Sequence, residues 1–152
     1  MVLIRKASTS EWAIIADFQQ QMAMETENIT LNPDVLKKGI QEVFKDPTKG
    51  GYFVAEMENR IVGSLMITFE WSDWRNKQIY WIQSVYVVPE FRRRGIYRSL
   101  YEHIKTIASG ANDVGGIRLY VDRSNLPAQE TYAKLGMDGE HYQVFEWMKQ
   151  ID

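Results

Sequence analysis

An arginine-rich loop with a single glycine stands where a β-type segment gives way to a helical one. Residues 92–94 and Arg98 are arginines around Gly95, and apolar residues at helical spacing follow from Ile96. A helix start leaves backbone N–H groups unpaired and carries partial positive charge, and glycine lets a ligand approach the backbone closely. The pattern predicts a phosphate or pyrophosphate site. Taken alone, these residues are explained equally well by a solvated basic loop.

This loop differs from two other loops that bind phosphate groups. It has no Gly-Lys-Ser/Thr sequence, so the sequence does not predict a nucleotide-hydrolysing P-loop. It also lacks the second and third glycines of a dinucleotide-binding fingerprint.

The loop resembles the signature of the Gcn5-related N-acetyltransferases, Arg/Gln-x-x-Gly-x-Gly/Ala directly after the fourth strand. Residues 92–97 match it except at Tyr97, where the family has a small residue. The resemblance implies that backbone N–H groups of the loop hold the pyrophosphate of acetyl-coenzyme A, and that backbone groups of the preceding strand orient the acetyl carbonyl. The implied cofactor-binding residues are Val85, Tyr86, Val87, Arg92, Arg93, Arg94, Gly95, Ile96, Tyr97 and Arg98.

A second motif follows at the separation that the same family uses. Asn125, Ala128, Tyr132 and the pair at 136–137 are similar to the family's Asn-x-x-Ala-x-x-x-Tyr-x-x-x-Gly-Phe pattern, with methionine replacing phenylalanine. The resemblance implies that Asn125 and Ala128 contact the pantetheine arm and that Tyr132 is the general acid for the departing thiolate. Tyr132 alone would be interpreted as a core aromatic, but two ordered motifs favour catalysis.

The amine acceptor and the general base are less well marked in the sequence. Many relatives have a glutamate on the fourth strand near the position of Gln83, which cannot take up a proton. Acids and tryptophans before that strand could form a surface for a cationic amine, although the tryptophans could equally cover a sheet edge. The candidate acceptor residues are Glu25, Glu70, Trp71, Asp73, Trp74 and Gln83.

The resemblance implies an acetyl-coenzyme A-dependent N-acetyltransferase whose acceptor is a primary amine of a small molecule or peptide. A non-catalytic acyl-coenzyme A binding module is the main alternative. Such a module would need no general acid, so the presence of Tyr132 disfavours it. A nucleic-acid binder is disfavoured because the formal net charge is -2. Relatives are often dimers, so a homodimer is a further expectation.

The composition suggests one ordinary globular domain, residues 1–152, in which 45% of the residues are hydrophobic. The chain has no cysteine and two histidines, so we expect no disulfide and no metal site. Apolar runs are too short to cross a bilayer, and the first residues lack the layout of a signal peptide. We therefore expect a cytoplasmic protein without membrane contact.

Hydrophobic periodicity predicts the element order β-α-α-β-β-β-α-β-α-β. The fold class is α/β (α+β), with a mixed, mostly antiparallel sheet flanked by about four helices. A capping box at Ser8 and Glu11 marks the first helix, and Asn32-Pro33 marks the second. The predicted strands span residues 2–6, 52–57, 61–69, 79–88, 117–121 and 142–148. The predicted helices end near Glu25, Asp46, Gly110 and Gly136.

Overall fold

The computed structural model describes residues 1–150, which cluster into two compact units. The first unit is Met1–Arg118, and the second begins at Leu119. In chain order, the elements are β1 (Leu3–Lys6), α1 (Trp12–Glu27), α2 (Pro33–Lys45), β2 (Gly51–Met57), β3 (Arg60–Ser72), β4 (Lys77–Val87), α3 (Ile96–Gly110), β5 (Val114–Arg118) and α4 (Leu126–Lys134). Short 3-10 turns, Thr9–Glu11 and Pro89–Phe91, precede α1 and follow β4.

The first unit is built on a five-stranded sheet in the order β1-β2-β3-β4-β5. Neighbours from β1 to β4 are antiparallel, whereas β4 and β5 are parallel. The mixed, mostly antiparallel sheet predicted from the sequence is therefore confirmed, and β2, β3 and β4 form an antiparallel meander within it.

The start of α2 shows how local sequence sets an element. Asn32 accepts hydrogen bonds from the backbone N–H groups of Asp34 and Val35, at 3.0 and 3.2 Å, and Pro33 occupies the first turn. The side chain satisfies donors that a helix start would otherwise leave unpaired, and proline has no N–H to satisfy there. The predicted cap is confirmed.

Helices cover both faces of the sheet in the first unit. Ile15 of α1 and Ile40 of α2 form a buried cluster with Tyr52 of β2. The neighbouring residue Phe53 points to the opposite face, where its ring lies 5.7 Å from that of His103 on α3. No helix in residues 1–150 combines the length and apolar character needed to span a membrane.

Strand β4 extends well beyond its parallel neighbour. The β4–β5 ladder runs from the pair Gln78 and Val114 to the pair Trp81 and Arg118. From residue 82 to Val87, β4 is paired only with β3, so its other backbone edge has no strand partner in the described part of the chain. The main-chain donors and acceptors on this edge of β4 therefore have no ladder partner in residues 1–150 and could bind a ligand.

The predicted strand at residues 142–148 is wrong: no strand or helix forms there, and its aromatic residues Tyr142, Phe145 and Trp147 are 80, 92 and 86% exposed. Apolar residues occur at 142, 144, 145, 147 and 148, which is not strict alternation. One side chain in every adjacent pair would point away from a core. A strand also needs a ladder partner, and none pairs with this segment in residues 1–150.

The predicted strand at residues 117–121 lies earlier in the chain, as β5 (Val114–Arg118). Two glycines at its start weaken the strand pattern in the sequence. In the fold a Cβ on Gly115 would lie 3.3 Å from the Cβ of Lys77, tighter than most such contacts. The missing side chain therefore allows β5 to approach the start of β4.

Candidate active site

The arginine-rich loop ends in a helix start that no side chain caps. Arg93 and Gly95 have φ angles of 62° and 76°, whereas Arg94 has no positive φ. Backbone of alternating handedness forms concave nests of N–H groups that bind anions. Asparagine side chains cap α2 and α4, but α3 has no side-chain cap at Gly95 among residues 1–150. Its first N–H groups are therefore available to an anion such as pyrophosphate.

Gly95 is suited to this loop by its backbone conformation, and the space beside it is open. Its left-handed backbone is costly for a residue with a side chain. A Cβ built there would meet no atom within 4 Å, so the space next to the loop is open.

The arginine side chains do not all face the same ligand. Arg92 pairs with Glu25 at 2.8 Å and donates to the carbonyl oxygen of Val87 at 2.8 Å. Arg94 lies 4.7 Å from the ring centre of Phe91 and 3.8 Å from a carboxylate oxygen of Glu58. By contrast, Arg93 and Arg98 are exposed and form no ion pair with residues 1–150. These two guanidinium groups are the ones most accessible to a bound phosphate.

Glu25 joins the end of α1 to the loop and to β4. The hydroxyl oxygen of Tyr86 lies 3.1 Å from Glu25 Oε1 and 2.8 Å from Gln21 Oε1, and the guanidinium of Arg92 stands 5.3 Å over the tyrosine ring. Burial, then the hydrogen bond to Glu25, raises the pKa of Tyr86 above its usual value. The structure thus places Glu25 beside the predicted pyrophosphate loop, where its charge is balanced by Arg92.

Glu70 lies in a polar cluster on the sheet. Trp81 Nε1 donates to Glu70 Oε1 at 3.0 Å, and Arg118 Nη1 donates to the same oxygen at 2.7 Å. These bonds, led by the one from Trp81, lower the pKa of the Glu70 carboxyl. The lowered pKa makes the Glu70 carboxylate a weaker proton acceptor than an unpaired glutamate.

The Glu70 cluster makes a testable contribution to stability. The folded-state pKa lies below the ordinary value of 4.5, so ionised Glu70 stabilises the fold above that pH. The contribution disappears as the pH falls through the folded-state pKa. We expect thermal stability between about pH 5 and pH 3 to fall slightly more steeply in the wild type than in Glu70→Gln. The effect is small because the side chain is 43% exposed.

Melting temperatures measured across that pH range test the Glu70 prediction. Glu102→Gln, which removes an exposed carboxylate from α3, is the matched control. Identical pH dependence of the wild type and Glu70→Gln would contradict a stabilising role for the cluster.

The remaining predicted acceptor residues lie in different settings. Gln83 donates a hydrogen bond to Thr68 Oγ1, across the β3–β4 pair. Trp71 and Trp74, near the β3–β4 turn, are 60 and 92% exposed. The Asp73 carboxylate accepts a hydrogen bond from the N–H of Trp74 at 2.9 Å. The two tryptophans are therefore largely exposed side chains.

The second motif forms α4 in the second unit. Asn125 caps this helix, because its Oδ1 accepts a hydrogen bond from the N–H of Ala128 at 3.2 Å. Tyr132 lies on α4 and is half-buried. Gly136 follows the helix with a φ of 86°, which confirms the predicted terminating glycine. The roles predicted for Asn125, Ala128 and Tyr132 in binding and catalysis stay predictions.

A bulge in β4, which the sequence analysis did not identify, lies next to the open edge. Ser64 pairs with Tyr86 and Met66 pairs with Gln83, so two residues of β4 oppose only one of β3. Ser84, within the bulge, has a φ of 52°. Left-handed backbone at a non-glycine residue often marks a functional site. No motif signals such a bulge, because it arises from the pairing of two strands.

A cavity of about 340 Å³ lies between α1, α2 and the sheet. Its lining residues are Gln19, Val35, Leu36, Gly39, Ile40, Val43, Tyr52, Met66 and Ser84. None of them was predicted from the sequence to be a binding or catalytic residue. The one available signal was Gly39, a glycine in the middle of a predicted helix.

Comparisons with known proteins agree with this architecture. A crystal structure of a possible acetyltransferase from Clostridium difficile 630 is similar, with a TM-score of 0.91, 40% identity and coverage of 99% of both chains. A predicted acetyltransferase from Clostridium acetobutylicum, solved with acetyl-CoA, has the same fold. It gives a TM-score of 0.73 at 20% identity and covers 99% of this chain and 96% of that one.

An N-alpha-acetyltransferase from Saccharolobus solfataricus (strain ATCC 35092 / DSM 1617 / JCM 11322 / P2) is 34% identical over 92 residues. The aligned stretch covers 55% of this chain and 54% of that relative, so the match spans about half the length of each. The family model described as "Acetyltransferase (GNAT) family" matches residues 12–137, which include both motifs and most of the fold. The chain therefore belongs to the acetyltransferase (GNAT) family.

Proposed function

We propose that this protein binds acetyl-coenzyme A and transfers its acetyl group to a primary amine. The observation that carries the proposal is the uncapped start of α3, which follows left-handed backbone at Arg93 and Gly95. The N–H groups there fit a pyrophosphate, with Arg93 and Arg98 exposed beside them. The open edge of β4, residues 82–87, fits the acyl-bearing end of the coenzyme.

In this proposal the amine attacks the thioester carbonyl directly. Backbone N–H groups of β4 near Val85 stabilise the developing oxyanion, and one such fixed donor is worth roughly 3 kcal/mol of barrier. Tyr132 protonates the departing thiolate. Glu25 and Glu70 form ion pairs with Arg92 and Arg118, and Gln83 has no basic group. In this proposal the amine therefore reacts as the neutral species or loses its proton through water.

The match to an N-alpha-acetyltransferase supports an amine as the acceptor. The α-amino group of a peptide lies within the acceptor class, together with primary amines of small molecules. Proteins with one fold can act on many different acceptors, so the fold does not identify the acceptor of this protein.

We expect thiol release from acetyl-coenzyme A to accelerate when a suitable amine is present. The assay follows free thiol over a panel of amines, and mass spectrometry of the product locates the new acetyl group. A parallel melting curve with and without coenzyme separates binding from catalysis. Stabilisation without transfer to any amine would favour the non-catalytic binding module. If acetyl-coenzyme A does not stabilise the protein and no amine accelerates thiol release, the proposal as a whole is contradicted.

A further inference from the structure

We propose that the cavity between α1, α2 and the sheet, the α2 cavity, holds an uncharged apolar substituent of the acceptor amine. Gln19 donates a hydrogen bond there to a carbonyl oxygen beside the amine. This inference rests on the proposed acetyl transfer and names the acceptor class for it. The class is a primary amine that carries an aliphatic or aromatic group and an adjacent carbonyl, such as the α-amino end of a peptide with a large apolar first residue.

Gln19 supplies the specific polar contact. The residue is only 7% exposed, and its Nε2 has no hydrogen-bond partner among residues 1–150. A buried amide that lacks a partner is costly, because it has lost its hydrogen bonds to water. Gln19 lines the α2 cavity, so rotation of its enclosed side-chain amide toward the cavity would let a carbonyl oxygen bound there satisfy this donor.

Gly39 keeps one wall of the α2 cavity free of a side chain. It lies in the middle of α2, where glycine weakens a helix. Its φ is not positive, and a Cβ built there would meet no atom within 4 Å. Neither backbone conformation nor close packing therefore requires glycine at this position. Because Gly39 is exposed and lines the cavity, the missing side chain leaves room for a ligand to enter beside the helix.

Ser84 connects the α2 cavity to the reacting centre. It lines the cavity from the bulge in β4. The next residue, Val85, lies on the open edge whose backbone orients the acetyl group in the proposed function. A substituent held in the cavity therefore brings its amine to the same stretch of β4.

The chemistry of the residues that line the α2 cavity determines which kind of substituent it can hold. Tyr52 is the only ionisable group among the lining residues given above, and burial raises its pKa to about 12, so it is neutral at physiological pH. A second cationic group of a polyamine or aminoglycoside would lose its water there without gaining a counter-charge. The volume of about 340 Å³ is at the small end for ligand sites, which span about 300–1,000 Å³. One apolar group of side-chain size fits these limits.

Four small amines test the acceptor class directly. Leucinamide has both the apolar group and the carbonyl, glycinamide lacks the apolar group, 3-methylbutylamine lacks the carbonyl, and lysinamide adds a charge. We expect kcat/KM for leucinamide to exceed that for glycinamide and lysinamide by at least about tenfold. Acetyl transfer is followed by thiol release at saturating acetyl-coenzyme A.

Two variants locate this preference in the α2 cavity. Gly39→Leu fills the cavity and should bring the leucinamide-to-glycinamide ratio of kcat/KM close to one. Lys38→Leu adds the same side chain at an exposed neighbouring position that does not line the cavity, and should keep the wild-type ratio. Gln19→Leu should lower kcat/KM for leucinamide by about tenfold or more, and should lower it much less for 3-methylbutylamine, which has no carbonyl.

Thermal shifts separate failure of this inference from failure of the proposed function. Leucinamide, added with free coenzyme A, should raise the melting temperature of the wild type but not of Gly39→Leu. If this shift appears without acetyl transfer, the proposed reaction is wrong and the cavity assignment stands. Preference for lysinamide, equal use of leucinamide and glycinamide, a wild-type leucinamide-to-glycinamide ratio in Gly39→Leu, or a wild-type kcat/KM for leucinamide in Gln19→Leu would each overturn the inference. The first of these results would instead favour the surface around Glu70 and Trp74.

Discussion

Acetyl-coenzyme A is expected to raise the melting temperature of the wild type and to leave that of Gly95→Glu unchanged. A ligand at about 100 times its Kd adds about 2.7 kcal/mol to the free energy of unfolding. For a chain of this length the addition corresponds to roughly 5–10 °C. Glutamate at this position places a side chain and a negative charge in the open space beside the uncapped start of α3. Both features exclude a pyrophosphate.

Gly95→Glu also strains the backbone, because Gly95 has a φ of 76°. Gly136→Glu is the matched control, since Gly136 has a φ of 86° and a Cβ there would also meet no atom within 4 Å. It should lower the melting temperature through similar strain while keeping the shift on addition of coenzyme. If the wild type shows no shift at millimolar acetyl-coenzyme A, the loop is not a pyrophosphate site.

Tyr132→Phe should lower kcat by about 10- to 1000-fold and leave the affinity for acetyl-coenzyme A nearly unchanged. The hydroxyl is proposed to protonate the departing thiolate, a step that occurs only in the transition state. Removing it therefore affects turnover more than binding. Steady-state kinetics with saturating acceptor measure the first quantity, and the coenzyme-dependent thermal shift measures the second.

Tyr142→Phe is the control for Tyr132→Phe, because Tyr142 is 80% exposed and lies outside both motifs. It should retain wild-type turnover. Wild-type turnover in Tyr132→Phe would reduce this tyrosine to a packing residue of α4. A parallel loss of turnover and of coenzyme-induced stabilisation would show that its main role is in binding or folding.

Local sequence signals predicted several helix ends and most of the strands of this protein. The cap of α2 at Asn32, the helix start at Gly95 and the terminating Gly136 each depend on residues within a few positions of one another. The consecutive strands β2, β3 and β4 were predicted because β-rich runs are separated by short connections. Such features follow from backbone geometry and hydrogen bonding along a few residues, which the order of residue types records directly.

The sequence also contained the pattern that marks the family. Residues 92–97 and the Asn125–Tyr132 motif have a defined spacing, and the family match covers both. Their separate roles in binding and catalysis do not follow from spacing, because a role depends on which atoms face the ligand. Arg92 illustrates the difference, since its guanidinium is paired with Glu25 and stacked over Tyr86.

Contacts between distant parts of the chain were decided only by tertiary structure. Glu25 and Arg92 are 67 positions apart, and Glu70 and Arg118 are 48 apart. The bulge at Ser84 depends on strand register, and the α2 cavity depends on how α1 and α2 pack on the sheet. Apolar residues at 142–148 suggested a strand, yet a strand forms only where a second backbone completes its hydrogen bonds. Pairing and packing between distant segments leave no local pattern in the sequence, whereas caps, turns and periodic faces do.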